Sequence, residues 1–257
     1  MTTHKLKGKT VLIAGGAKNL GGLLARDFAE QGAATIIVHY HSAASKADAT
    51  ATAAAVESAG AKAILLQADL TSADAVAKLF TDAIAQAGHI DIAINTVGMV
   101  LKKPIVEVSE AEYDTMFAVN TKAAFFFLQQ AGEHVSDNGK VCTLATSLLG
   151  AYTPFYATYA GAKAAVEHFT RSASKEFGAR GISVTAVAPG PMDTPFFYGQ
   201  EAPEAVAYHK TAAALSPFSK TGLTHIEDIV PLIRFLVTEG WWITGQTILA
   251  NGGYTTK

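Results

Sequence analysis

Tyr159 and Lys163 lie four residues apart in Tyr156-Ala-Thr-Tyr-Ala-Gly-Ala-Lys163. On a helix that spacing puts both side chains on one face, one turn apart. An ammonium beside a phenol favours the phenolate, so the expected effect is a Tyr159 pKa lowered from about 10 toward about 7. At that value a tyrosine can exchange a proton with a reacting oxygen at neutral pH. A second chemical feature is the run Ala14-Gly-Gly-Ala-Lys-Asn-Leu-Gly-Gly22. A glycine-rich turn feeding a helix lets backbone approach a pyrophosphate and aims the helix's first N–H groups at it. Read alone, the same run is also a tight strand-to-helix connection.

The flanking sequence supplies the elements that would hold these groups. Short β-branched runs predict strands at 9–14, 35–38, 63–66, 90–94, 140–145 and 183–187. Between them, Ala-rich patterns predict helices at 20–31, 46–58, 73–87, 110–133 and 158–177, several closed by glycine. Continuous apolar strands alternating with helices indicate a parallel sheet covered on both faces. The expected fold is therefore α/β, a Rossmann-like doubly wound sheet of about seven strands. The expected organisation is a single dinucleotide-binding and catalytic domain over 1–257. Residues 191–224 break the rhythm, with Pro191, Pro195, Pro203 and Pro217 among Phe196, Phe197, Tyr198, Tyr208 and Phe218. A long irregular insertion is usually functional, so this stretch is expected to be a substrate loop or lid. Its aromatics either anchor the loop to the body or line an apolar pocket, together with Leu148, Leu149, Tyr152, Phe155 and Tyr156.

Composition narrows the function. Apolar residues make up 49% of the 257 and charged residues 16%, a globular profile, and the net charge of -2 gives no electrostatic case for nucleic acid or an anionic membrane. Apolar runs such as 123–128 are too short to span a bilayer, and the N-terminus lacks a signal-peptide core. The chain reads as a soluble cytoplasmic protein. The lone Cys142 excludes an internal disulfide and a Cys-based zinc cluster, and its strand-like setting predicts a buried, inert thiol.

Gly15-x-x-x-Asn19-x-Gly21, Asn95-Thr-Val-Gly98, Asn120, Ser147, Tyr159-x-x-x-Lys163 and Pro189-Gly190-x-x-x-Thr194 occur in an order and spacing that resemble the short-chain dehydrogenase/reductase family. Residues 243–253 also look like that family's last strand and turn. The resemblance covers essentially the whole chain. It implies that Tyr159 is the proton donor to a carbonyl, or the base in reverse, and that Lys163 holds the nicotinamide ribose. It implies that Ser147 hydrogen-bonds the substrate oxygen and that Asn120 holds a water in a proton relay. It places Gly15, Lys18, Asn19, Leu20, Gly21, Asp69, Leu70, Asn95, Gly98, Tyr159, Lys163, Pro189, Gly190, Met192 and Thr194 around the cofactor. Departures are Ala14 for threonine, Asn19 for glycine, and Thr96-Val97 for Asn-Ala; Asn19 tolerates left-handed backbone, so the turn survives. Ser147 stands one residue nearer Tyr159 than is usual in the family, while Thr146 has the usual spacing. Ser147 is preferred because Ser147-Leu-Leu-Gly150 matches the family's Ser-x-x-Gly, with Thr146 as its competitor.

The end of the second strand, Val38-His-Tyr-His-Ser42, carries no carboxylate to bind a ribose 2′-hydroxyl. Lys18, His41 and Ser42 would instead suit a 2′-phosphate. This segment is also similar to the family's pteridine reductases, which use NADPH. The favoured cofactor is NADP(H), with NAD(H) as the alternative. The leading expectation is an NADPH-dependent carbonyl reductase acting on a small-molecule ketone, such as a 3-oxoacyl thioester. The alternatives are an NAD-dependent alcohol or sugar dehydrogenase and a non-catalytic dinucleotide-binding redox sensor. Family resemblance further suggests a homotetramer or homodimer, with the Phe125–Phe127 helix and the segment 155–177 as candidate interface. An ordinary sheet-packed core is the other reading of those phenylalanines.

Overall fold

A computed structural model describes residues 5–256. Seven parallel strands form one sheet in the order β3-β2-β1-β4-β5-β6-β7. They are β1 (Thr10–Ala14), β2 (Thr35–Tyr40), β3 (Lys62–Gln67), β4 (Ile90–Asn95), β5 (Val135–Leu144), β6 (Ser183–Pro189) and β7 (Thr247–Ala250). Helices α1 (Asn19–Glu30), α2 (Lys46–Ser58) and α3 (Ala73–Ala87) connect the first four strands. Because side chains alternate across a strand, β1 feeds two cores. Val11 and Ile13 pack with Leu24 and Phe28 of α1 on one face; Leu12 and Ala14 pack with Leu79 and Phe80 of α3 on the other. Strand order reverses between β1 and β4, where Ala14 pairs with Asn95. A crevice therefore opens beyond their carboxyl ends, where ligands bind in such sheets.

The single helix expected at 110–133 is broken. It consists of α4 (Glu110–Phe117), a π-helical turn at Ala118–Lys122, and α5 (Ala123–His134). A π-turn inserts a residue and leaves helical carbonyls looking for donors; the Asn120 amide takes that of Met116 at 3.0 Å. Phe127 is fully buried, whereas Phe125 is 45% exposed, so the phenylalanine run is part core and part surface.

After β5 come α6 (Ala157–Glu176), which carries Tyr159 and Lys163, and β6. The stretch expected to be irregular folds into α7 (Pro195–Tyr198), α8 (Pro203–Ala212) and a 3₁₀ turn at Ser216–Phe218. Pro195 and Pro203 open helices, a position where the missing N–H costs nothing. The last helix, α9 (Ile226–Leu236), packs on α1 and leads to β7. No helix among the described residues is long and apolar enough to cross a membrane. Cys142 is buried, and burial pushes its thiol up to about 12, as expected of an inert cysteine.

Candidate active site

The crevice is a cavity of about 530 Å³ running from the glycine-rich turn to α7 and α8. At one end Gly15 has φ +77° and Asn19 has φ +49°, so both adopt the left-handed backbone the turn needs. A Cβ on Gly15 would come within 2.6 Å of Thr96 Oγ1, and one on Gly21 would collide with the Gly15 carbonyl oxygen. Thr96 Oγ1 also donates to the Ala14 carbonyl at 2.9 Å, which ties β4 to the turn. A residue outside every motif completes the turn. His39 is buried; its Nδ1 accepts from the Gly15 N–H at 3.0 Å, and its Nε2 lies 2.9 Å from the Ala68 carbonyl. That arrangement requires the neutral ring with its proton on Nε2, and burial lowers the His39 pKa to about 4. Its position as an inward-facing histidine on a central strand was the available signal.

At the outer edge of this end, Lys18 pairs with Asp48 at 3.0 Å and His41 lies 3.7 Å from Asp69. Asp69 is fixed as a turn residue by the Thr71 N–H and hydroxyl, which hold its carboxyl below the usual range. Ser72 caps α3. Lys18, Asn19, Leu20, Gly21, His41, Asp69 and Leu70 all border the cavity. Ser42 does not, and Ser45 stands there in its place.

At the other end, Tyr159 is buried, and the neighbouring Thr146 hydroxyl favours its ionised form against that burial. Ser147 borders the cavity one residue on, at the start of a 3₁₀ turn, next to Thr146. Thr146 and Ser147 thus both line the cavity together with Tyr159. Lys163 Nζ donates to the Leu144 carbonyl at 2.9 Å and the Val97 carbonyl at 3.1 Å. The expected lowering of the tyrosine pKa is not what this environment produces. Burial pushes Tyr159 up to about 12 and draws Lys163 down to about 8. Desolvation opposes charge on both groups, and the ammonium is directed at two carbonyls rather than at the phenol.

Asn120 and Asn95 stand just behind the wall. Asn120 Nδ2 donates to the Met99 carbonyl at 2.8 Å and its Oδ1 accepts from the Met99 N–H at 3.1 Å. Asn95 Oδ1 accepts from the Val97 N–H at 2.9 Å. Together they shape the loop that presents Gly98, where a Cβ would sit 3.1 Å from Lys163 Nζ and 3.2 Å from Asn120 Oδ1. Gly98, Pro189, Gly190, Met192 and Thr194 all line the cavity. The glycine cradles at both ends, the basic edge and the apolar walls fit a dinucleotide lying along the strand ends.

Of the pocket residues expected after β5, Leu148 and Tyr156 line the cavity, whereas Tyr152 is fully exposed and Phe155 half-exposed. Phe196, Phe197, Gln200, His209 and Tyr254 complete the wall. Behind it the side chain of Glu201 is wholly buried, bonded to the Tyr156 hydroxyl and paired with Lys102 Nζ at 2.5 Å. No motif pointed to this lid-to-body tie, because its partners come from three distant segments.

Known proteins match this arrangement. The family model described as enoyl-(acyl carrier protein) reductase matches residues 15–255. A hydroxynaphthalene reductase-like protein of Metarhizium brunneum is 34% identical, over 99% of this chain and 98% of the relative. A short chain dehydrogenase/reductase of Aspergillus novofumigatus is 31% identical, over 98% of this chain and 97% of its own. Among solved structures, a Burkholderia cenocepacia protein described as a dehydrogenase with bound NADP superposes with a TM-score of 0.97 at 73% identity, over 99% of this chain and 96% of that one. A blue fluorescent protein from a metagenomic library, in complex with NADPH, has a TM-score of 0.89 at 30% identity, over 98% of this chain and all of that one.

Proposed function

The chain belongs to the short-chain dehydrogenase/reductase family and is an NAD(P)-dependent oxidoreductase, and from that premise we propose that it is an NADPH-dependent carbonyl reductase acting on a ketone. The observation that carries this reading is the buried Tyr159 at the cavity wall, beside Thr146 and with Lys163 one helical turn away. A phenol pushed up to about 12 stays protonated at neutral pH, which is the form a proton donor to a carbonyl oxygen must have. Lys18, His41 and Ser45 would hold the 2′-phosphate, and the turn from Gly15 to Gly21 the pyrophosphate. Asp69 and Leu70 would border the adenine. Lys163 would hold the nicotinamide ribose, with Asn95, Gly98, Pro189, Gly190, Met192 and Thr194 framing the ring. When bound, the nicotinamide supplies the hydride. Thr146 holds the substrate oxygen, and Tyr159 gives that oxygen its proton. Asn120 keeps the Met99 loop in place, and Lys163, donating to the Val97 carbonyl, would be positioned to hold the ribose as well.

The NADP of the Burkholderia cenocepacia structure, at 73% identity, supports the cofactor choice. Aromatic Tyr156, Phe196, Phe197 and Tyr254 around the cavity favour a ring-bearing ketone over a 3-oxoacyl thioester, and the naming of the Metarhizium relative as hydroxynaphthalene reductase-like points the same way. The enzyme would act in the cytoplasm as a dimer or tetramer, with the exposed Phe125 on an interface. The test is NADPH oxidation against acetoacetyl thioesters, diketones, pterins and aromatic ketones. Reduction of a ketone with NADPH preferred over NADH is expected. Inert carbonyls with alcohols reducing NAD would overturn the assignment.

A further inference from the structure

We propose that Asp48 competes with the cofactor for Lys18, so that this one carboxylate sets how strongly the protein distinguishes NADP(H) from NAD(H). The inference rests on the NADPH reading above. Lys18 lies in the glycine-rich turn and borders the cavity beside His41 and Ser45. Among the described residues it is the one lysine or arginine bordering the cavity on that edge, where His41 already faces Asp69. Its ammonium is held 3.0 Å from Asp48 Oδ2, in the first turn of α2.

The position of Asp48 gives it two roles that oppose each other. A carboxylate in the first turn of a helix is favoured by the helix dipole, so Asp48 is a stable anchor for Lys18. The same site is where a 2′-phosphate reaching past the end of β2 would lie, between the turn and the start of α2. The Ser45 side chain makes no cap hydrogen bond to α2, which leaves its hydroxyl available on that edge. A phosphate must therefore take Lys18 from Asp48 and then sit near a like charge. Asp69 is different: its Oδ1 is already engaged by the Thr71 N–H at 3.0 Å and hydroxyl at 2.8 Å, so its place is fixed by the turn. Lys18 and Asp48 are 61% and 44% exposed, so the pair is weak enough to exchange and strong enough to shift a binding constant. NAD(H), with a hydroxyl in place of the phosphate, makes no claim on Lys18.

Binding is read directly by titrating the protein with NADPH and with NADH, following cofactor fluorescence, for the native chain, Asp48→Asn, Lys18→Ala and the double variant. Asp48→Asn is expected to tighten NADPH about 3- to 10-fold while changing NADH less than about twofold. Because the effect runs through Lys18, most of that gain should vanish in the Lys18→Ala background. Unchanged or weakened NADPH binding in Asp48→Asn would overturn the proposal, and so would a gain that persists without Lys18. A native protein that binds NADH as tightly as NADPH, with Lys18→Ala altering neither, would instead overturn the NADPH reading itself.

Discussion

Replacing Thr146 by alanine should cripple the reaction, and replacing Ser147 should not. The Thr146 hydroxyl lines the cavity with the Tyr159 phenol, and its Oγ1 accepts the Leu148 N–H at 3.3 Å, which orients it. A substrate oxygen receiving the tyrosine proton must sit beside both hydroxyls, so Thr146 is a preorganised donor to the oxygen on which charge develops. Loss of one such donor costs roughly 10²- to 10³-fold in kcat, or about 3–4 kcal/mol. A neutral hydrogen bond of about 1 kcal/mol would account for less than tenfold, so the size of the loss separates transition-state stabilisation from mere packing. Steady-state reduction of a ketone by NADPH is the assay, run beside NADPH titration. Thr146→Ala should lower kcat about 10²-fold with cofactor affinity unchanged, Thr146→Ser should restore most of the activity, and Ser147→Ala should stay within a few-fold of native. A large loss in Ser147→Ala with Thr146→Ala near native would refute the assignment.

Two further outcomes follow from buried groups. His39 is held neutral with a pKa of about 4, below its value in the unfolded chain, so the unfolded state binds more protons between about pH 4 and 6.5 and stability falls as pH drops through that window. From pH 7 to pH 5 the loss from this group is about 2 kcal/mol, and urea unfolding of His39→Gln, which keeps an acceptor and a donor without titrating, should show a correspondingly flatter pH dependence. Glu201→Ala would strand Lys102 and the Tyr156 hydroxyl and loosen the lid, at a cost of about 3 kcal/mol. Faster amide exchange over 195–212, with a raised KM for ketone, is the expected sign; unchanged exchange would show that the pair does not hold the lid.

The fold was readable because burial on both sides of a parallel sheet forces continuous apolar strands, and strands 35–38 and 183–187 sit inside the observed β2 and β6. The break in the helix expected at 110–133 was not, since a π-turn leaves the apolar period nearly intact and shows only in where Asn120 sends its amide. The prolines at 195 and 203 do not announce helices, because proline marks both turns and helix starts. Local motifs located the turn, Tyr159, Lys163 and most of the cavity wall. Contacts between distant segments escaped them: His39 with Gly15, and Glu201 with Lys102 and Tyr156. The Tyr159 pKa is not legible from spacing for a related reason. Spacing places an ammonium near a phenol, but only the fold shows that both are desolvated and that Lys163 spends its hydrogen bonds on Val97 and Leu144.

The central claim is that Tyr159 delivers the proton while playing little part in holding NADPH. Ketone reduction by Tyr159→Phe, measured with NADPH affinity on the same protein, tests it most directly. The account predicts native-like NADPH binding with turnover lowered by about 10³-fold or more, as expected when a group acting only in the transition state is removed. Turnover close to native in Tyr159→Phe would contradict it.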